Sequence, residues 1–196
     1  YSVGNVEETR NLYDRWAQSY DDEIKENGYA TPERCAAALA DFAPDKNAPI
    51  LDVGCGTGLS GLALRAAGFQ VVDGSDLSAE MLAKAAKQQD LYRRTWQADI
   101  TDPFPFEPGT YSHIAAIGML STSHAPPGTI DAILAVLPSD GLFVFSLNDH
   151  TLQDPEFEAR IAENIDAGLA RLVFKEYGDH LPAIGLNSTV YVLKKN

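Results

Sequence analysis

A chain of 196 residues, 45% hydrophobic and 22% charged, has the composition of an ordinary globular domain with one core, and residues 1–196 are expected to form a single domain. Its 15 basic and 28 acidic residues leave a net charge of −13, a negative field that opposes capture of nucleic acid or an anionic membrane surface and favours a small-molecule or protein partner. Two cysteines, no apolar run of membrane-spanning length and no basic leader at the start argue against a disulfide framework, a zinc site or a membrane anchor, and lead us to expect a soluble cytoplasmic protein.

From Val6 to Ile24 the residues Val6, Tyr13, Trp16, Tyr20 and Ile24 recur at helical spacing, which predicts an amphipathic helix with an aromatic face. Lying before the first strand, residues 1–30 read as a lid segment, and the Tyr13 and Tyr20 hydroxyls are candidates to serve a ligand beneath it. Thr31-Pro32-Glu33 supplies a cap, a proline at the first helical position and an acid in the first turn, predicting a helix to about Phe42. Cys35, Leu39 and Phe42 share one face of it, so Cys35 reads as packing.

Ile50-Leu-Asp-Val-Gly-Cys-Gly-Thr-Gly58-Leu-Ser-Gly61 then runs from an apolar strand through a glycine bend into a helix over 57–67, closed by Gly68. Such a bend lets backbone come close to a ligand without a Cβ in the way. Asp52, a carboxylate in a strand that should be covered on both faces, demands a donor or a cation. The second strand is expected over 69–73, with Asp76 just beyond it, where a dinucleotide-type fold places an acid on ribose hydroxyls. Ser78 should cap a helix holding Met81, Leu82 and Ala85.

A third strand over 93–98 ends at Asp99-Ile100, so Asp52, Asp76 and Asp99 are expected along one sheet edge. Residues 104–109 read as irregular and 111–119 as a fourth strand. The loop after it holds His124, the first candidate general base. A helix over 130–137 and a strand over 142–147 lead to His150, the second candidate. Asp154-Pro155-Glu156 opens a further helix that stops at Gly168, and two closing strands over 169–177 and 189–193 should pair antiparallel, there being no room for a crossover helix. The sum is an α/β fold, a doubly wound, mostly parallel seven-stranded sheet with an antiparallel last strand and an N-terminal lid helix.

Gly56-Thr-Gly58-Leu-Ser-Gly61 also satisfies a dinucleotide fingerprint, which leaves a nucleotide-dependent oxidoreductase open. A carboxylate just before the bend repels a pyrophosphate and suits an ammonium group. Leu51-Asp-Val-Gly-Cys-Gly-Thr-Gly58, Gly74-Ser-Asp76-Leu-Ser-Ala-Glu-Met-Leu82 and Ala98-Asp99-Ile100 resemble the motifs of class I S-adenosylmethionine-dependent methyltransferases. Tyr13-Asp-Arg-Trp-Ala-Gln-Ser-Tyr20 resembles the lid helix of their small-molecule branch and, more loosely, the methyltransferase-like proteins of the Williams-Beuren region. That resemblance implies S-adenosyl-L-methionine as cofactor, with Gly54, Cys55, Gly56 and Gly58 at its methionine part and Asp52 near its amino group. It further implies Asp76 on the ribose, Leu77 and Ile100 on the adenine faces, Asp99 on the adenine amino group, and Met81 within the same site. No metal is expected, and the acceptor is expected to be a small molecule. A methyltransferase-like protein that binds the cofactor without catalysis stays open beside an active enzyme.

Overall fold

The computed structural model describes Ile24, residues 26–122 and residues 125–196. Tyr13, Trp16, Tyr20 and His124 lie outside the described residues. From Thr31 onward helices and strands alternate: α1 (Thr31–Phe42), β1 (Ile50–Val53), α2 (Leu59–Ala66), β2 (Val72–Asp76), α3 (Ala79–Ala85), β3 (Thr95–Gln97), β4 (His113–Ala116), α4 (Gly128–Val136), β5 (Leu142–Asn148), α5 (Pro155–Asp166), β6 (Ala170–Leu181) and β7 (Leu186–Lys195). Single 3₁₀ turns, Thr151–Gln153 and Pro182–Ile184, precede α5 and join β6 to β7.

The seven strands form one sheet in the order β3-β2-β1-β4-β5-β7-β6. β1 to β5 pair parallel, whereas β7 runs antiparallel to both β5 and β6, as the short connection between the last two strands requires. Strand order reverses between β1, from which the chain proceeds outward to β2 and β3, and β4, from which it proceeds the other way. Crevices at such a reversal, beyond the carboxyl ends of the strands, are where open α/β sheets bind ligands.

Both faces of the central strands are covered, which is why β1, β4 and β5 read as apolar runs rather than alternations. Leu51, Ile114, Phe143 and Phe145 pack toward α4 and α5 through Ile130, Ile133, Phe157 and Ile161. Ile50, Val72, Val144 and Val192 pack toward α1 and α2 through Cys35, Leu39, Ala63 and Leu64. Cys35 is wholly buried in that layer, and burial pushes its thiol up to about 12, so it packs as an inert small hydrophobe.

Several local expectations shift. β2 covers Val72–Asp76 rather than 69–73, because Gly74 and Ser75 pair with β1 and β3 where the bend comes close. A Cβ on Gly74 would stand 2.9 Å from the Cys55 sulfur, so glycine is needed for this approach. β3 is confined to Thr95–Gln97, although the Arg93 N–H donates to the Val72 carbonyl at 2.8 Å and the Arg94 carbonyl accepts from the Gly74 N–H at 3.0 Å, and β4 stops before Gly118, whose φ is +70°. β6 and β7 extend well past 169–177 and 189–193, since each pairs with the other over almost its full length.

α2 begins two residues late, at Leu59, and α4 two early, at Gly128. Ser78 and Asp154 cap as expected, accepting from the Met81 and Glu156 backbone N–H groups. Thr31 does not cap. Its hydroxyl lies 2.7 Å from His180 Nδ1 and 2.9 Å from Ser188 Oγ, and Arg34 donates to the same Ser188 oxygen at 3.2 Å, stitching α1 to the β6–β7 hairpin.

Candidate functional site

The bend after β1 is shaped by glycine at two points. Gly54, at φ +67°, has its Cα so close to Met119 that a Cβ would stand 2.8 Å from the methionine Cβ. Gly56, at φ +53°, faces open space: an added Cβ would meet nothing within 4 Å. The backbone there forms a cradle that a side chain would fill. Asp76 at the end of β2 holds the bend, accepting from the Gly56 N–H at 2.8 Å and the Ser78 N–H at 2.8 Å. Asp99 closes a turn of its own, its Oδ1 accepting from the Thr101 N–H and hydroxyl at 2.9 and 2.7 Å.

A cavity of about 340 Å³ opens over these strand ends. It takes in Gly54, Gly56, Asp76, Leu77, Met81, Asp99 and Ile100, so seven of the residues singled out in the sequence are brought together on its wall. Asp102 adds a third carboxylate, and among the described residues the lining holds no lysine, arginine or histidine. A wider groove between α1 and α2 is lined by helical residues and the segment before α1, and touches no strand end. The chemistry therefore belongs to the first cavity.

Three singled-out residues near the bend, and one beyond β5, stand apart from that wall. Asp52 lies one residue before the end of β1, is fully buried, and points into the layer beneath the bend. There its Oδ2 accepts from Ser60 Oγ and Tyr92 Oη, both at 2.7 Å, while its Oδ1 has no partner. Desolvation pushes its carboxyl up to about 7, the two hydroxyls pull it back, and Asp76 pushes it further. Cys55 is buried against Gly74 and its thiol is raised well above the ordinary value, first by burial and then by Asp52 and Asp76. Gly58 starts α2 and faces Leu91. His150 is exposed just past β5, its N–H donating to Asn148 Oδ1, and it is absent from the cavity lining.

The cavity wall also carries residues that motif reading passed over: Trp96, Phe104, Gly118 and Met119. Pro103-Phe104-Pro105 read only as irregular chain, though an apolar pair of prolines around an aromatic directly after Asp99 was a usable signal. Beneath this wall Asp73, wholly buried, accepts from Arg93 at 2.9 and 2.7 Å, from Arg94 at 2.9 Å and from Tyr111 at 2.6 Å. Burial alone would raise the Asp73 carboxyl, but these donors outweigh it and hold it below the usual carboxylate value. The network anchors β3, and through it the Trp96 to Ile100 wall.

Residues 27–182 match the family described as methyltransferase domain. The chain belongs to that methyltransferase family. Human methyltransferase-like protein 27 is 32% identical to it over 141 residues, which is 70% of this chain and 57% of the human protein. The 18S rRNA (guanine-N(7))-methyltransferase bud23 of Schizosaccharomyces pombe is 35% identical over 71 residues, 36% of this chain and 26% of that protein. The matched stretch thus spans 57% of the length of the human relative and 26% of that of the yeast one. Its fold is similar to that of magnesium protoporphyrin IX methyltransferase from Synechocystis PCC 6803, crystallised with bound SAH, at a TM-score of 0.70 and 16% identity over 95% of each chain.

The cofactor of this methyltransferase family is S-adenosylmethionine, and the cavity suits it. The open cradle at Gly56 and a wall that carries three carboxylates and, among the described residues, no cationic side chain match a ligand with positive charge and no phosphate.

Proposed function

We propose that this chain transfers the methyl group of S-adenosylmethionine to a small organic acceptor. The observation that carries the reading is the charge of the cavity wall, Asp76, Asp99 and Asp102 with no basic side chain among the described residues, around a glycine cradle. Such a wall attracts a sulfonium and an ammonium and repels the diphosphate that a nicotinamide cofactor would bring. Gly54 and Gly56 would let backbone approach the methionine part. Asp76 would accept from the ribose hydroxyls, with Asp99 at the adenine amino group and Leu77, Met81 and Ile100 on the apolar faces. Asp52 would act from below the bend, with Cys55 and Gly58 shaping the bend itself, and Tyr13 and Tyr20 would serve from the amino-terminal lid.

When bound, the cofactor supplies an already activated methyl group, so the protein's work is to hold the acceptor in line and keep water out. An acceptor with a hydroxyl or ammonium nucleophile needs a base, and His124 is the proposed one, with His150 second. A small acceptor is favoured over RNA because the chain carries a net charge of −13, and the stretch shared with the rRNA enzyme is only 71 residues. No described helix is long and apolar enough to cross a membrane.

Calorimetric titration with S-adenosylmethionine and, separately, with NADH tests the cofactor. Saturable binding of the first and none of the second is expected, and the reverse would overturn the proposal. Incubating the protein with methyl-labelled cofactor and a cell-extract metabolite fraction should then place label on a small molecule; label confined to RNA would refute the acceptor class.

A further inference from the structure

We infer that Tyr92 is a positioning residue of the cofactor site, holding the Asp52 carboxylate and the underside of the glycine bend from the connection between α3 and β3. Two glycines, Gly61 and Gly74, make room for its ring, and Gly58 borders it. A Cβ on Gly61 would stand 2.3 Å from the Tyr92 hydroxyl oxygen, one on Gly74 3.2 Å from Cε1, and one on Gly58 3.6 Å from Cε2. Gly61, the residue that completes the dinucleotide-like pattern, is therefore the socket of a tyrosine rather than a contact for a pyrophosphate.

The hydroxyl at the end of that ring donates to Asp52 Oδ2 at 2.7 Å. Two further residues of the same connection grip the bend: Gln88 Nε2 donates to the Thr57 carbonyl at 3.2 Å, and Leu91 lies against Gly58. Neither Tyr92 nor its connection belongs to the cavity wall, so the residue acts through Asp52 and the bend and does not touch the ligand.

This inference rests on the cofactor assignment and on Asp52 favouring the cofactor's ammonium when ionised. The groups facing Asp52 are Ser60 on α2, Asp76 on β2, Cys55 in the bend, Cys35 on α1 and Tyr92 itself. Burial holds both thiols and the phenol well up and protonated near neutral pH, so none of the three changes charge where Asp52, pushed up to about 7, does. Both hydroxyls stabilise its charged form, so removing either moves its titration to higher pH. A move from about 7 to about 8 would cut the ionised fraction at pH 7.5 about three-fold and raise the cofactor Kd in proportion.

The test is calorimetric titration of the whole chain with S-adenosylmethionine between pH 6 and 9, for the parent, Tyr92→Phe and Ser60→Ala. Tyr92→Phe keeps the ring in its glycine socket and deletes only the donor; Ser60→Ala removes the second donor to the same oxygen without disturbing the helix or the ring. The expected result is that affinity falls toward acid in all three, with the midpoint at higher pH in each variant and Kd at pH 7.5 raised about three-fold. Midpoints matching the parent in both variants overturn the inference. Should Tyr92→Phe fail to fold, a parent-like profile for Ser60→Ala overturns it alone. A parent that binds no S-adenosylmethionine at any pH sinks the cofactor assignment instead, which keeps the two failures apart.

Discussion

Replacing Asp76 with alanine tests the proposed ribose contact most directly. Its carboxylate accepts from the Gly56 and Ser78 N–H groups, each at 2.8 Å, and it lines the cavity, where ligand hydroxyls would share the same oxygens. Hydrogen bonds to a charged group contribute on the order of 1.5–3 kcal/mol, so losing a shared acceptor should cost about 2 kcal/mol of cofactor binding, roughly thirty-fold in Kd. Folding suffers separately, because two backbone donors lose their partner. A cost of about 1–2 kcal/mol corresponds to a Tm lower by roughly 3–8 °C for a chain of this size.

Asp76→Asn keeps one carbonyl acceptor but turns an amide toward a backbone donor, so it should fall between parent and alanine. Calorimetric titration with S-adenosylmethionine at pH 8, beside thermal melts, reads both effects. A folded Asp76→Ala protein whose Kd stays within about two-fold of the parent would refute the ribose role.

Gly56→Ala and Gly54→Ala should separate ligand space from protein space. The first forces a left-handed backbone but strikes no protein atom, so it should cost about 1 kcal/mol of stability and far more in cofactor affinity; the second drives a Cβ against Met119 and should lower Tm more. Melts and titrations on the same samples check the contrast. Asp73→Asn should cost about 2 kcal/mol, a modest figure because both guanidiniums are more than half exposed and can return to water.

The folded Asp73 carboxyl is held below its unfolded value, so its contribution is present above about pH 4 and lost as pH falls through the folded value. The variant should therefore melt lower at pH 7 and show a flatter decline below pH 4. His124→Ala should reduce turnover on the identified acceptor by about a hundred-fold while leaving the cofactor Kd unchanged, measured by steady-state kinetics and calorimetry.

The doubly wound, mostly parallel sheet, the antiparallel closing pair and the gathering of Asp76, Leu77 and Asp99 at one edge were all legible in the residues, because each depends on a local pattern. An apolar run, a glycine bend and an acid at a fixed distance suffice to place them. Asp52 shows where that reasoning stops. Its position beside the glycines is the same whether it looks up into the cavity or down into the helix layer, and side-chain direction within a strand changes with each residue. On the downward face one of its partners is Tyr92, forty positions later, and a lone tyrosine in a polar connection carries no mark of the socket that receives it. Thr31 fails for a similar reason. Thr-Pro-Glu is a sound capping sequence, yet a histidine and a serine 149 and 157 residues downstream claim the hydroxyl. Strand ends were misjudged where long-range pairing outweighs local propensity, along the long β6–β7 hairpin.

The stitch between Thr31, Ser188 and His180 also bears on how the molecule is made. During synthesis α1 emerges from the ribosome long before the hairpin that supplies both of its polar partners and much of the sheet surface it lies on. Until those last strands arrive, Cys35 and Leu39 have only part of their eventual cover. Assembly must therefore wait until the β6–β7 hairpin has emerged, at the slow pace of folds closed by distant segments, and a nascent chain halted before β7 presents an unfinished apolar face to chaperones.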